Sequence, residues 1–169
     1  ADGAKRMGGA VLPHLPTLPG ADASYPSASD YSNEYFFQSA RSERDGLPYP
    51  WEAAVYADGY AYAEASTAPL SYRKMFCWGS GRGGRRWQDF LSLPGERYLE
   101  VQAGLAPTQL HTADIGAGAA VDWAQAFCPL HAEPLRAHGR DYGLASAYLE
   151  GLLAERIPPR SLESSLASF

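Results

Sequence analysis

Two short runs hold the side chains best suited to chemistry. "YLEVQAG" (98–104) and "QLHTADI" (109–115) both alternate, and Leu105-Ala106-Pro107-Thr108 joins them. Paired antiparallel with Gly104 opposite Gln109, they set Gln102 opposite His111 and Glu100 opposite Ala113. Alternation then sorts Leu99, Val101, Ala103, Leu110 and Thr112 onto one face, and Tyr98, Glu100, Gln102, Gln109 and His111 onto the other. A carboxylate beside an imidazole can move protons, and amides bind hydroxyl groups. Glu100 is the candidate acid/base and His111 its partner, with Gln102 and Gln109 as candidate substrate ligands. A purely solvated sheet face has the same composition.

Trp78 and Trp87 are the candidate platforms for a flat ligand such as a sugar ring. Core packing is the competing reading for each. Between them runs "GSGRGG", in which Gly79, Gly81 and Gly84 match G-x-G-x-x-G after the strand-like "YRKMFCW" (72–78). A dinucleotide site requires a helix to follow, with its N-terminus on the pyrophosphate. Gly84 and Pro94 leave room for a helical turn but not a crossover helix, so the glycines are expected to shape a connection between β elements. Arg82, Arg85 and Arg86 are then loop charges in solvent. Glu64 and Arg73 are read as surface charges as well. No G-K-[ST] run, no G-x-S-x-G elbow and no zinc-ligand spacing occurs, and nothing calls for a metal or another cofactor.

The formal net charge of -5 opposes a nucleic-acid-binding role, which ordinarily needs a basic face. Cys77 and Cys128 lie in apolar surroundings and suggest buried thiols rather than a disulfide, in keeping with a cytoplasmic location. No apolar run approaches the roughly 20 residues of a membrane helix, so no membrane partner is expected. The chain opens at Ala1 without a methionine, which suggests a piece of a longer protein.

These side chains need a scaffold, and the pattern points to strands. With 11 tyrosines, 17 glycines and 13 prolines, short strands and many turns are expected. Residues 1–33 read as irregular, because Pro13, Pro16 and Pro19 forbid a helix or a central strand. "EYFFQSA" (34–40) reads as a strand and "RSERDGLPYP" (41–50) as a loop. In "WEAAVYADGYAYAEAST" the Asp58-Gly59 pair predicts a type I′ hairpin with Ala57 opposite Tyr60, Val55 opposite Tyr62 and Ala53 opposite Glu64. "VDWAQAFCPL" (121–130) adds a strand. His14, His131 and His138 are assigned to loops. Tyr142, Ala145, Leu149, Leu152 and Leu153 recur at helical spacing, predicting a helix over about 141–156 that Pro158-Pro159 stop. The expected fold is therefore all-β, an antiparallel β-sandwich over 34–140. A C-terminal helix and tail over 141–169 would link to a further module.

The series "WG…WQ…YLEVQAG…TQ" within "KMFCWGSGRGGRRWQDFLSLPGERYLEVQAGLAPTQ", followed by Trp123, resembles an uncharacterised bacterial domain family often found beside tetratricopeptide-type repeats. "SNEYFF" and "STAPLSYRKMF" fit the same likeness, which covers roughly residues 22 to 145. That family resembles the galactose-mutarotase-like β-supersandwich. The resemblance implies a sheet-on-sheet fold and a sugar or glycoside ligand, with sugar epimerisation or glycoside processing as the associated chemistry. It also implies an adjacent helical-repeat module as partner; a second copy of the chain is the other candidate partner. The alternative is a non-catalytic interaction domain that docks through the apolar stripe of the terminal helix.

Overall fold

The computed structural model describes Asp30, Ser32 to Gln38 and Glu43 to Phe169. The expected irregular segment 1–33 and His14 thus fall almost wholly outside the described residues. The elements in order are β1 (Asn33–Gln38), β2 (Glu43–Arg44), β3 (Leu47–Pro48), β4 (Trp51–Val55), β5 (Tyr60–Ser66), β6 (Tyr72–Cys77), α1 (Arg82–Leu91), β7 (Leu99–Gly104), β8 (Gln125–His131), α2 (Pro134–Ala137), α3 (Tyr142–Arg156) and α4 (Pro159–Leu166). They form small sheets with strand orders β1-β6-β7, β2-β3 and β4-β5-β8. The fold is mixed α/β, which corrects the all-β sandwich expected from the composition. Helix α1 stands between β6 and β7, and α2 to α4 follow β8. No helix among the described residues is long and apolar enough to cross a membrane.

The chain divides into two compact units. One comprises residues up to Phe37 with Lys74–Gln102, the other Gln38–Arg73 with Ala103–Phe169. In the second unit β5 is the central strand, antiparallel to both β4 and β8. Its alternate residues Ala61, Ala63 and Ala65 are fully buried. Side chains this small let a helix approach the sheet closely. Leu153, Ala154 and Ile157, at the C-terminal end of α3, fill that space together with Leu130 and Leu162. Two polar ties fix the packing. Tyr49 donates its hydroxyl hydrogen to the Ile157 carbonyl at 2.8 Å, and Trp51 Nε1 donates to Glu150 at 3.1 Å. Of the apolar stripe of α3, Leu153 lies in this core with Leu152 packed against it, and Ala145 and Leu149 are buried as well.

Helix α3 begins where Asp141 caps it, accepting from Leu144 N at 3.0 Å. It ends at Ile157, before Pro158, close to the bounds its periodicity predicts. The proline pair does more than stop it. Pro159 opens α4 at the first helical position, where its missing N–H costs nothing.

The hairpins differ from expectation in an instructive way. Between β4 and β5 the turn spans Tyr56 to Gly59: Gly59 N donates to Tyr56 O at 2.9 Å and Tyr56 N to Tyr60 O at 2.8 Å. Gly59 has φ +87°, whereas Asp58 stays in the negative region. This is a three-residue loop ending in a glycine bulge, not a two-residue type I′ turn. The extra residue moves the register by one, so Val55 faces Ala61, Ala54 faces Tyr62 and Glu52 faces Glu64. Gly59 is needed for space too, since a Cβ there would collide with the Ala132 carbonyl oxygen. The two-residue turn occurs at the other Asp-Gly pair. Asp45 (φ 56°) and Gly46 (φ 74°) join β2 to β3, inside the segment expected to be a loop.

Two further corrections concern histidines and strands. His131 ends β8 rather than lying in a loop. Residues 109–115 form a turn and irregular chain, not a strand, so the predicted partner of β7 does not exist. The hydroxyl of Thr108 explains the local choice. It accepts from Leu110 N at 3.1 Å and meets His111 Nδ1 at 2.7 Å, closing a turn that bends the chain away from strand geometry.

Candidate functional site

The glycine-rich stretch builds the most distinctive surface of the first unit. Its helix, α1, has ten residues and begins at Arg82, although it contains Gly83 and Gly84. Such a sequence has poor helix propensity, so tertiary anchoring must hold it. Gln88 supplies the anchor. Buried, it donates from Nε2 to Gly79 O at 2.7 Å and accepts at Oε1 from Tyr98 N at 3.2 Å, tying loop, helix and the approach to β7 together. The loop's polar groups are engaged as well. Gly81 N donates to Asp30 O at 2.9 Å, Ser80 Oγ donates to Asp30 Oδ1 at 2.9 Å, and Arg85 Nε donates to Ser80 O at 2.6 Å.

The glycines therefore serve packing. A Cβ on Gly84 would lie inside the van der Waals envelope of the Trp78 and Gly79 carbonyl oxygens, and one on Gly81 would strike Asp30 O. Gly84→Ala should lower stability despite the gain of about 1 kcal/mol that alanine ordinarily brings to a helix interior, because backbone oxygens cannot swing aside. Gly83→Ala is the control. Its Cβ meets nothing within 4 Å, so it should stabilise. Melting temperatures that rise for both variants would refute the packing role of Gly84.

Helix α1 carries the aromatic shelf. Trp87 stacks on Trp78 with ring centroids 5.2 Å apart and an interplanar angle of 25°. Phe76 meets Trp78 edge-on at 4.7 Å, and Phe90 meets Trp87 edge-on at 6.0 Å. The two tryptophans are not equivalent. Trp78 is the inner member, its Nε1 buried without an acceptor among the described residues. Trp87 is 51% exposed and Phe90 is 77% exposed. The expected pair of platforms thus becomes one platform, Trp87, backed by Trp78 and extended by Phe90, a residue not singled out from the sequence. Arg82, Arg85 and Arg86 lie on this helix, exposed, instead of in a loop.

The other predicted site residues are distributed differently from expectation. Glu100 and Gln102 lie on β7 in the first unit, and Gln102 Nε2 donates to Glu100 Oε2 at 2.9 Å. Gln109 and His111 belong to the second unit, where Gln109 is exposed and His111 is held by Thr108. No strand pairing brings Glu100 and His111 to a common face, because 109–115 is not a strand.

The second unit holds a cluster that the sequence reading placed at the surface. Glu64 is 2% exposed and Arg73 is completely buried. Arg73 Nε pairs with Glu64 Oε1, while Nη2 reaches Glu64 Oε2 at 3.1 Å, Ser66 Oγ at 2.8 Å and Pro50 O at 3.1 Å. Nη1 donates to the Leu70 carbonyl. Gln125 Nε2 adds a bond to Glu64 Oε2 at 3.1 Å. Glu52, opposite Glu64, is buried too and hydrogen-bonds it. Burial pushes the Glu52 carboxyl up to about 9, with the Glu64 charge adding to the rise and Arg73 opposing it. Burial raises Glu64 also, but the guanidinium and the Gln125 amide pull it down. The bidentate guanidinium fixes the negative charge on Glu64, so Glu52 carries the proton. Glu52 on β4, Glu64 and Ser66 on β5 and Arg73 on β6 tie three strands together, and Glu52 Oε2 is buried without a hydrogen-bond partner among the described residues.

Cys77 and Cys128 are free thiols among the described residues. Burial pushes the Cys77 thiol up to about 11, away from the thiolate form that reacts. No group of three or more metal-ligating side chains occurs among the described residues. No protein-family model, curated protein or solved structure matches the chain. The site and fold define a small mixed α/β protein with an exposed aromatic shelf.

Proposed function

We propose that this protein binds carbohydrate on the α1 shelf, with Trp87 as the stacking platform and Phe90 at its edge. The observation that carries the reading is the Trp87 ring, stacked on Trp78 yet half open to solvent. Rigid aromatic surfaces held by an inner neighbour bind with little loss of conformational entropy, and an apolar ring face suits the apolar face of a pyranose. Glu100 and Gln102, preorganised by their mutual hydrogen bond in the same unit, are polar groups suited to sugar hydroxyls. The reading is of binding, not turnover. His111 makes its hydrogen bond to Thr108, and the strand pairing that would have given Glu100 an imidazole partner is not formed.

A panel of mono- and oligosaccharides, followed by tryptophan fluorescence, tests it. One sugar class should give a saturable change, and Trp87→Ala should weaken it by about tenfold or more, as for a central aromatic anchor. A flat response across the panel from folded protein would refute the proposal.

A further inference from the structure

Helices α3 and α4 pack on one face of the β4-β5-β8 sheet, the face of Ala61, Ala63, Ala65 and Leu130. The register puts Tyr60, Tyr62, Phe127, Pro129 and His131 on the opposite face, and all five are exposed. Tyr62 stacks on Phe127 with ring centroids 6.0 Å apart, and Tyr56, just past the end of β4, meets Tyr60 at 6.1 Å. Tyr56, Tyr60, Tyr62 and Phe127 are between 43% and 60% exposed. The solvent face of an antiparallel sheet is ordinarily polar, so an aromatic one marks a contact surface. This face also lacks fixed charge. β4, β5 and β8 contain no lysine or arginine, and their glutamates, Glu52 and Glu64, are buried. A phosphate chain or an anionic lipid surface would find no permanent cation on these strands.

The sequence supplies a segment of matching chemistry. Residues 12–20, "LPHLPTLPG", are three consecutive Leu-Pro-x triplets without a lysine, arginine or carboxylate, and they lie outside the described residues. We infer that the aromatic face of the β4-β5-β8 sheet takes this segment, in polyproline II form, from a second copy of the chain. Polyproline II has three residues per turn, so the triplets would line up their prolines on one ridge and their leucines on the next. Its backbone makes no internal hydrogen bonds, which leaves carbonyls free to accept from tyrosine hydroxyls, and proline rings pack on aromatic faces. The dimensions agree. Nine residues extend about 28 Å, against roughly 23 Å for the seven residues of β5. Four half-open rings at about 200 Å² each offer only about 400 Å². That is half the ~800 Å² per partner of a standard protein interface, so a slender segment fits the face better than a second sheet does. In the single chain the face stands open, which favours a segment from another copy.

Sedimentation of the full chain across a concentration series tests this, and the parent should associate reversibly. Tyr62→Ser/Phe127→Ser strips the face, and Pro13→Ala/Pro16→Ala/Pro19→Ala strips the segment. Each variant alone should associate about tenfold more weakly or less still. Mixed, they should form a one-to-one complex, because one still offers a segment and the other a face. Circular dichroism checks that both are folded, and the proline variant leaves every described residue unchanged. A parent that is monomeric at every concentration would overturn the inference. Association kept by the proline variant would overturn it in favour of two aromatic faces packed together. Association kept by the folded aromatic variant would show that the face is not the dock. None of these outcomes bears on the carbohydrate reading, which rests on α1.

Discussion

Arg73→Met should cost about 3–5 kcal/mol, the usual penalty for removing one partner of a buried ion pair. A typical domain is stable by only about 5–15 kcal/mol, so much of the variant would be unfolded or aggregated at 37 °C. The loss has two sources. Glu64, 2% exposed, would remain with its charge and without its counter-ion. The carbonyls of Pro50 and Leu70 would also each lose one of two donors, keeping Ser66 N and Ser66 Oγ respectively. The double variant Glu64→Leu/Arg73→Met should recover a substantial part of the stability, because it removes the stranded charge. Urea unfolding of the three proteins decides the matter. A single variant within about 1 kcal/mol of the parent would show that the pair is not a structural lock.

Glu52→Gln should change the pH dependence of stability more than its value near pH 5. In the folded protein the Glu52 carboxyl is raised from 4.5 to about 9, first by burial and then by the neighbouring Glu64 charge. Between those values the unfolded chain has released a proton that the folded protein keeps. The folded state binds more protons, so stability falls as pH rises through that window. The penalty is absent below about pH 4.5 and fully developed above about pH 9. Glutamine keeps the shape and carries no titrating proton, so the variant should match the parent at pH 5 and exceed it in melting temperature at pH 9. Parallel melting profiles from pH 5 to pH 9.5 would contradict the assignment of the proton to Glu52.

The same cluster shows why local patterns reach only so far. The strands around Tyr72–Cys77 and Leu99–Gly104 and the helix over Tyr142–Arg156 were legible, because apolar periodicity and proline stops act over a few residues. The chain contains Asp-Gly twice, and dipeptide preference alone cannot say which pair makes the tight turn. Asp45-Gly46 adopts positive φ at both residues, while at Asp58-Gly59 only the glycine does. That single-residue difference shifts β4 against β5 and sets Glu52, not Ala53, opposite Glu64. The buried carboxyl pair was invisible in the expected register.

Helix α1 was missed for a related reason. Two adjacent glycines in its first turn argue against a helix, and what stabilises it is Gln88 reaching to Gly79 and Tyr98. Those contacts exist only once the chain has folded. Likewise, alternation in 109–115 promised a strand, but the Thr108 hydroxyl captured the local backbone first. The sequence by itself determined which segments favour strand or helix and that Trp87 stands among arginines. Only the tertiary structure decided the register of β4 on β5, the burial of Arg73 with its two glutamates, and the exposure of one tryptophan over the other. Those outcomes depend on contacts between residues distant in the chain, whose free energies exceed the local preferences that a sequence displays.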